Sequence, residues 1–330
     1  MRRLLALCLL ASVMAAAPVR AQEETLSLLA FGDTGKPVSW PTRYLPQYRV
    51  GEAMAREDRR SPVQALLILG DIFYPDGLSR RTLRDRMRQN LAGPYCHFLA
   101  PTQRGRRAIR GVCDRPPEQT HPIPILAVTG NHDLGRNQGV RLERERLSVF
   151  LENWLMPAEA RSYELGAGVS VVGFHSDYVN KGAPATALAE ALRGSKGPWR
   201  IVIAHHPLAD SGAGWRPGYA DRVRAAIDAS GQRVHLFLAG HQHSLQALRA
   251  PGAALHVVSG AGGADIRALS PPGDERLYGE ALYGFVRIDA SPEALDVSFL
   301  ALDGIFDRDA EVTARFRLTP DGSVSSLGLE

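Results

Sequence analysis

The sequence has little of several things, and each shortage excludes something. It carries three cysteines in 330 residues: Cys8, Cys96 and Cys113. That number is too small for a disulfide scaffold and lacks the paired spacing of a cysteine zinc site. No linker, internal repeat or low-complexity tract interrupts it, so solenoids, collagens and disordered tails are set aside. At 45% hydrophobic and 22% charged the composition is that of a globular protein. The apolar stretch from Leu4 to Ala17 is too short to span a bilayer. It follows Arg2-Arg3 and precedes Pro18-Val19-Arg20-Ala21, which reads as a basic region, an apolar region and a small-residue cleavage site. Residues 1–21 are therefore expected to be a secretory signal. The mature chain would start near Gln22 and be secreted or periplasmic, with no stable membrane insertion. Losing the signal removes three arginines and no acids, which lowers the formal charge from +4 to +1. So small an excess gives no electrostatic case for a nucleic-acid partner. Two cysteines remain, an even pair that is a candidate disulfide in an oxidising compartment.

What is present is an ordered set of five short motifs. They are Gly32-Asp33-Thr34-Gly35, Gly70-Asp71-Ile72-Phe73-Tyr74, Gly130-Asn131-His132-Asp133, His205-His206-Pro207 and Gly240-His241-Gln242-His243. Each follows a short apolar run: Leu26 to Phe31, Val63 to Leu69, Ile123 to Val128, Ile201 to Ala204 and Val234 to Ala239. The runs read as buried strands, and the stretches 47–60, 142–155, 185–193 and 219–229 as helices. Strands alternating with helices define an α/β protein, in which ligands gather at the carboxyl ends of the strands. Residues 284–289, 295–302 and 312–318 alternate instead, and predict a second, more antiparallel sheet packed on the first. Residues 22–330 are read as a single catalytic domain. Between Tyr74 and Ile123 lies a long arginine-rich segment that includes both cysteines. It reads either as a solvated helix and loop or as an electropositive rim for anionic substrates.

The motifs supply carboxylates, a phenol, an amide and imidazoles, the donor types of a site for two metal ions. Singly they are weak. A strand-end aspartate is most often a turn residue, and a lone tyrosine a packed aromatic. Asp71 with Tyr74 three residues on offers hard anionic oxygens suited to a hard ion such as ferric iron. His241 and His243 flank one residue, so an extended chain puts both rings on one side. Of His205 and His206, one is expected to face the metals and the other to turn away. Asn131 offers an amide oxygen, His132 is left to meet substrate, and Asp133 is expected to orient the His132 ring. His97, His121, His175, His235 and His256 have no supporting pattern and read as structural.

With these motifs the chain resembles the calcineurin-like metallophosphoesterase superfamily, and within it the purple acid phosphatases of the small tartrate-resistant type. Asp33 is followed by Thr34-Gly35 where most of the superfamily has Asp-x-His. Gly70, Asp71 and Tyr74 match the Gly-Asp-x-x-Tyr of the purple enzymes, and Val202 to His205 their Val-x-x-His. Gln246 and Ser259-Gly260-Ala261-Gly262 extend the similarity. The resemblance implies a four-layer α/β sandwich of two mixed β-sheets flanked by helices. It also implies a dinuclear centre of Fe(III) with a divalent iron, zinc or manganese. Asp33, Asp71, Tyr74 and His243 would hold the ferric ion; Asp71, Asn131, His205 and His241 would hold the divalent ion, with Asp71 bridging. His132 would act on the phosphoryl or leaving group, with Asp133 beside it. The implied activity is hydrolysis of small phosphomonoesters by metal-activated hydroxide. Alternatives on the same core are a phosphodiesterase or nucleotide pyrophosphatase, and a phosphate-binding protein without catalysis. Two departures stand out: His206 replaces an aromatic neighbour, and the Ser211-Gly212 region lacks a histidine near the leaving group.

Overall fold

The computed structural model describes residues 25–35, 45–135, 139–209, 217–271, 273–304, 307 and 309–329. The expected signal and Ser211-Gly212 lie outside them. The strands are β1 (Leu26–Phe31), β2 (Ala65–Ile68), β3 (Ile125–Ala127), β4 (Trp154–Leu155), β5 (Ala160–Gly166), β6 (Val169–Phe174), β7 (Trp199–Ile203), β8 (Leu236–Ala239), β9 (Leu245–Leu248), β10 (Leu255–Ser259), β11 (Arg276–Glu280), β12 (Tyr283–Ala290), β13 (Leu295–Leu302), β14 (Glu311–Leu318) and β15 (Val324–Leu327).

Side-chain alternation explains the layering. On β1, Leu26, Leu28 and Ala30 point to a core shared with Ile201, Ile203, Leu236 and Leu238. Leu29 and Phe31 point the other way, onto Val50 and Met54 of the helix Pro46–Arg60. On β7 and β8 the remaining residues, Val202, Phe237 and Ala239, meet Leu188 and Val223 of the helices Thr186–Arg193 and Tyr219–Ser230. A strand covered on both faces has no polar side, so these runs carry almost continuous apolar residues. The order is helix, sheet, sheet, helix: the expected sandwich of two mixed sheets.

The first sheet runs β15-β14-β13-β12-β1-β2-β3-β4 and the second β11-β9-β10-β8-β7-β6-β5. This corrects the expectation of a separate C-terminal sheet. Strand β12 pairs antiparallel with β1, placing Val286 opposite Ala30, and so extends the sheet in which β1, β2 and β3 lie parallel. The motif-bearing strands are instead split, with β1, β2 and β3 in one sheet and β7 and β8 in the other.

The helix read over 142–155 also needs correction. Helical turns at Gly139–Leu142 and Ser148–Phe150 flank a π-turn at Glu143–Leu147. The chain then extends at Leu151 and forms the edge strand β4, where Trp154 pairs with Ile125.

The arginine-rich segment is packed rather than loose. Leu91, Tyr95, Phe98 and Ile109 are buried in the core beneath the helix Pro46–Arg60. Arg80, Arg81, Arg84, Arg104, Arg106, Arg107 and Arg110 stay exposed. Arg88 donates to the Ala108 and Arg110 carbonyls, and Arg86 is buried. Cys96 and Cys113 are bonded, with Cα atoms 5.4 Å apart across a separation of 17 residues. Closing a loop of that size stabilises by about 3 kcal/mol in the chain-entropy account.

Candidate metal centre

The carboxyl ends of β1, β2, β3, β7 and β8 meet at one end of the sandwich, and the five motifs are the loops that leave them. Three non-glycine residues there adopt left-handed backbone: Asp33 (φ 56°), Asp71 (φ 52°) and His241 (φ 67°). Such conformations cost of order 1 kcal/mol each and persist only where the surroundings fix them. Hydrogen bonds between the loops do that. Asp33 Oδ2 accepts the His241 N–H at 2.8 Å, and Asp71 Oδ1 accepts the His132 N–H at 2.8 Å. The approach is close enough to require glycine at two positions. A Cβ on Gly130 would fall 2.2 Å from Asp71 Oδ1, and one on Gly240 would fall 2.5 Å from Asp33 Oδ2.

The other oxygen of each aspartate faces Tyr74. Its hydroxyl lies 3.2 Å from Asp33 Oδ1, 3.1 Å from Asp71 Oδ2 and 3.0 Å from His243 Nε2. His205 Nε2 lies 3.4 Å from Asp71 Oδ2, 3.2 Å from Asn131 Oδ1 and 3.2 Å from His241 Nδ1. His243 Nε2 also lies 3.4 Å from Asp33 Oδ1. All seven residues expected as ligands are therefore linked in one continuous set of contacts. Ligating atoms of Asp33, Asp71 and His205 lie within 4.8 Å of one another.

The donor chemistry of this set fits cations. The His205 Nδ1–H donates to the Leu69 carbonyl at 2.9 Å and the His243 Nδ1–H to the Asp265 carbonyl at 2.8 Å. That leaves Nε2 of each ring as a lone pair, aimed for His205 at the acceptor oxygens of Asp71 and Asn131, and for His243 at Asp33 Oδ1 and the Tyr74 hydroxyl. Acceptors face acceptors unless a proton or a metal ion lies between them. Without a metal the protons must stay. Burial disfavours charge on His205, but Asp71, with Asp33 and Asp177, outweighs it and pushes the ring up to about 10. His243 is raised too, burial being outweighed by Asp33. Asp71, although buried, is held well below the usual carboxylate range by His205. Burial, then Asp33 and Asp71, drive the Tyr74 phenol far above its ordinary value. A bound multivalent cation inverts that balance and favours the phenolate.

The structure corrects one contact in the third motif. Asp133 does not hold the His132 ring. Its Oδ1 accepts the N–H groups of Ile72 (2.9 Å) and Phe73 (2.8 Å), and its Oδ2 accepts that of Gly130 (2.9 Å). It is fully buried and ties the second loop to the third. The His132 ring is held instead by the Pro75 carbonyl, 2.8 Å from Nδ1, and stacks on Tyr74 with centroids 4.3 Å apart. With Nδ1–H engaged, Nε2 is free to face a cavity of about 480 Å³ lined in part by Tyr74, His132 and His243.

His206, the chain neighbour of His205, is buried. It packs against His241 at 4.6 Å, with Nδ1 3.0 Å from Ser176 Oγ. Ser176 Oγ also accepts the His205 and His206 N–H groups, at 3.1 and 3.0 Å. The sequence reading missed Ser176, although the run Val169–Phe174 that precedes it ends like the other motif strands. It also missed Arg267, which lines the cavity from the loop after β10, and the buried acids Glu143 and Asp177. Among the other histidines, His175 meets Thr129 Oγ1 and the Pro157 carbonyl, His235 the Arg200 N–H, His256 the Leu208 N–H, and His97 and His121 both contact Asp58.

The chain belongs to the calcineurin-like phosphoesterase family, whose model matches residues 26–245. It is thereby a metal-dependent phosphoric ester hydrolase, and the dinuclear metal centre of that family is compatible with the buried Asp33, Asp71 and His205 group. Solved structures share the fold. GAP50, the anchor in the inner membrane complex of Plasmodium, superposes with a TM-score of 0.65 at 14% identity, over 89% of each chain. Purple acid phosphatase PPD1 from yellow lupin (Lupinus luteus) seeds gives 0.59 at 16% identity, over 96% of this chain and 59% of that one. PhoD gives 0.56 at 12% identity, over 93% and 72%. No curated protein matches in sequence. No helix among the described residues is long and apolar enough to cross a membrane.

Proposed function

We propose that this chain is an exported phosphomonoesterase of the purple acid type, with residues 1–21 as its signal and residues 22–330 as its single catalytic domain. The observation that carries the reading is the Tyr74 hydroxyl, held within 3.2 Å of Asp33, Asp71 and His243. A phenol among two carboxylates and an imidazole is a donor set for a hard trivalent ion, which favours iron. Asp33, Asp71, Tyr74 and His243 would hold Fe(III). Asp71, Asn131, His205 and His241 would hold a divalent iron, zinc or manganese. When bound, the pair supplies Lewis acidity and a nucleophilic hydroxide at neutral pH.

The remaining work falls to the chain. As the bond between phosphorus and the ester oxygen breaks, the departing alkoxide needs a proton, and one carried on His132 Nε2 would go to it, leaving the neutral ring with Nδ1–H on the Pro75 carbonyl. The Pro75 carbonyl fixes that tautomer, and Tyr74 fixes the plane of the ring. Asp133 acts at one remove by keeping the second and third loops in register. The fold by itself is shared with an anchor protein, so the phosphomonoesterase reading rests on the complete donor set.

The test is metal analysis and a visible spectrum of the purified protein, with turnover of nitrophenyl phosphate compared with bis-nitrophenyl phosphate. The proposal expects about two metals per chain, iron among them, a visible charge-transfer band, and preference for the monoester. A colourless iron-loaded, oxidised protein would rule out the purple type, and preference for the diester would favour the phosphodiesterase reading.

A further inference from the structure

Arg267 is the single Lys or Arg among the described residues lining the cavity beside the metal centre. Its position is fixed through the ligand His243: the Arg267 backbone N–H donates to the His243 carbonyl, and the Asp265 carbonyl holds the His243 ring. The Arg267 side chain is exposed, and its guanidinium has no hydrogen-bond or ion-pair partner among the described residues. Its charge is felt at both His241 and His243, where it disfavours protonation. An unpaired guanidinium therefore stands within electrostatic reach of the centre, on the same cavity that His132 faces. Much of the same wall is apolar: Leu45, Pro46, Ala264 and Ile266. Apolar walls discriminate weakly between leaving groups, whereas a fork of N–H donors beside a low-dielectric surface discriminates strongly for an anion. Asp265 also lines this cavity, and its charge is felt at Tyr283.

We propose that Arg267 is a specificity residue: it binds a second anionic group on the leaving side of the scissile phosphate, selecting diphosphate-type substrates over simple monoesters. The inference rests on the phosphatase reading of the same site and names the substrate class within it. The transferred phosphoryl group would meet the metals and His132, while the next phosphate along would meet Arg267.

The test compares the wild-type holoenzyme with Arg267→Gln and Arg267→Lys in two measurements. One is kcat/KM for inorganic pyrophosphate relative to nitrophenyl phosphate. The other is calorimetric affinity for methylenediphosphonate relative to methylphosphonate, which needs no turnover. Arg267→Gln should lower both ratios by about 10–100-fold, the range of a charge-assisted pair, and Arg267→Lys should recover part of the loss. Unchanged ratios would overturn the proposal. So would equal losses on both members of each pair, which would place Arg267 on the transferred phosphoryl group or in the fold. If the loaded wild type hydrolyses neither substrate, the catalytic reading fails, and the calorimetric ratio alone still decides the role of Arg267.

Discussion

The carboxylate of Asp133 accepts the backbone N–H of Phe73 at 2.8 Å, and the same oxygen accepts that of Ile72. With Gly130 on its other oxygen, one buried side chain satisfies three amides from the two loops that carry Asp71, Tyr74 and Asn131. Asp133→Ala leaves all three without an acceptor, at about 1–3 kcal/mol for each buried group left unmade. Thermal unfolding should show a large loss of stability, and metal analysis a loss of both ions. Asp133→Asn keeps one acceptor oxygen and should fall between. An alanine variant that keeps its melting temperature and its metals would show that the loops hold themselves.

His132 is expected to act on chemistry and not on metal retention, because its ring is held by Pro75 and Tyr74. His132→Ala should keep both ions and lose about 10²–10⁴ in kcat, the scale of a general acid. The loss should be larger for alkyl phosphates than for nitrophenyl phosphate, whose leaving group needs little protonation. Equal losses on the two esters would make phosphoryl stabilisation its better role.

Tyr74→Phe removes a hydroxyl from between Asp33 and Asp71 and leaves the ring to stack on His132. Iron-loaded wild type should show a visible band that the variant lacks, while circular dichroism stays the same. Colour that survives in the variant would mean that the chromophore is not this tyrosine.

Asp177 gives a pH dependence. Burial, helped by Asp71 and Asp133 against the opposing pull of His205, raises its folded value to about 7. The unfolded value is about 3.9. The folded state therefore binds the proton more tightly. The stability this contributes is complete below about pH 4 and is lost as pH rises through about 7. Asp177→Asn has no such loss. In chelator-treated protein, the melting temperatures of variant and wild type should diverge in favour of the variant between about pH 4 and 8. Parallel curves would show that Asp177 ionises as freely in the folded chain as in the unfolded one.

Much of the site was legible because a strand that enters a loop at its carboxyl end leaves a local signature: an apolar run, a glycine, then a donor. Asp33, Asp71, Asn131 and His241 carry it, Tyr74 and His243 follow within three residues, His205 follows its apolar run without the glycine, and all seven are brought into contact. Ser176, Arg267, Glu143 and Asp177 were not recognised. Their placement depends on which turn of helix or which loop packs under the site, and that is tertiary information. Asp133 adjoins His132 in sequence, but its side chain turns inward to the backbone amides of Ile72, Phe73 and Gly130, a direction that adjacency does not carry. The assignment of sheets failed for a related reason. Alternation in β12, β13 and β14 shows that each has a covered face, but not that β12 pairs with β1. Likewise the apolar residues of Ser148–Phe150 fit a continuing helix, and only the pairing of Trp154 with Ile125 makes the next stretch a strand.

The split of the motif strands between two sheets has a mechanical consequence. Donors on the loops after β1, β2 and β3 face donors on the loops after β7 and β8, so ions held between them fasten the two sheets together at one end of the sandwich. At the opposite end the sheets are held by side-chain packing. Withdrawal of the ions leaves only proton-bridged His205 and His243 between the carboxylates, so the centre becomes the weak edge of a laminate, where strained loops can relax. Opening would start there and spread along the strands, making metal loss a change in how the protein comes apart as well as in what it catalyses.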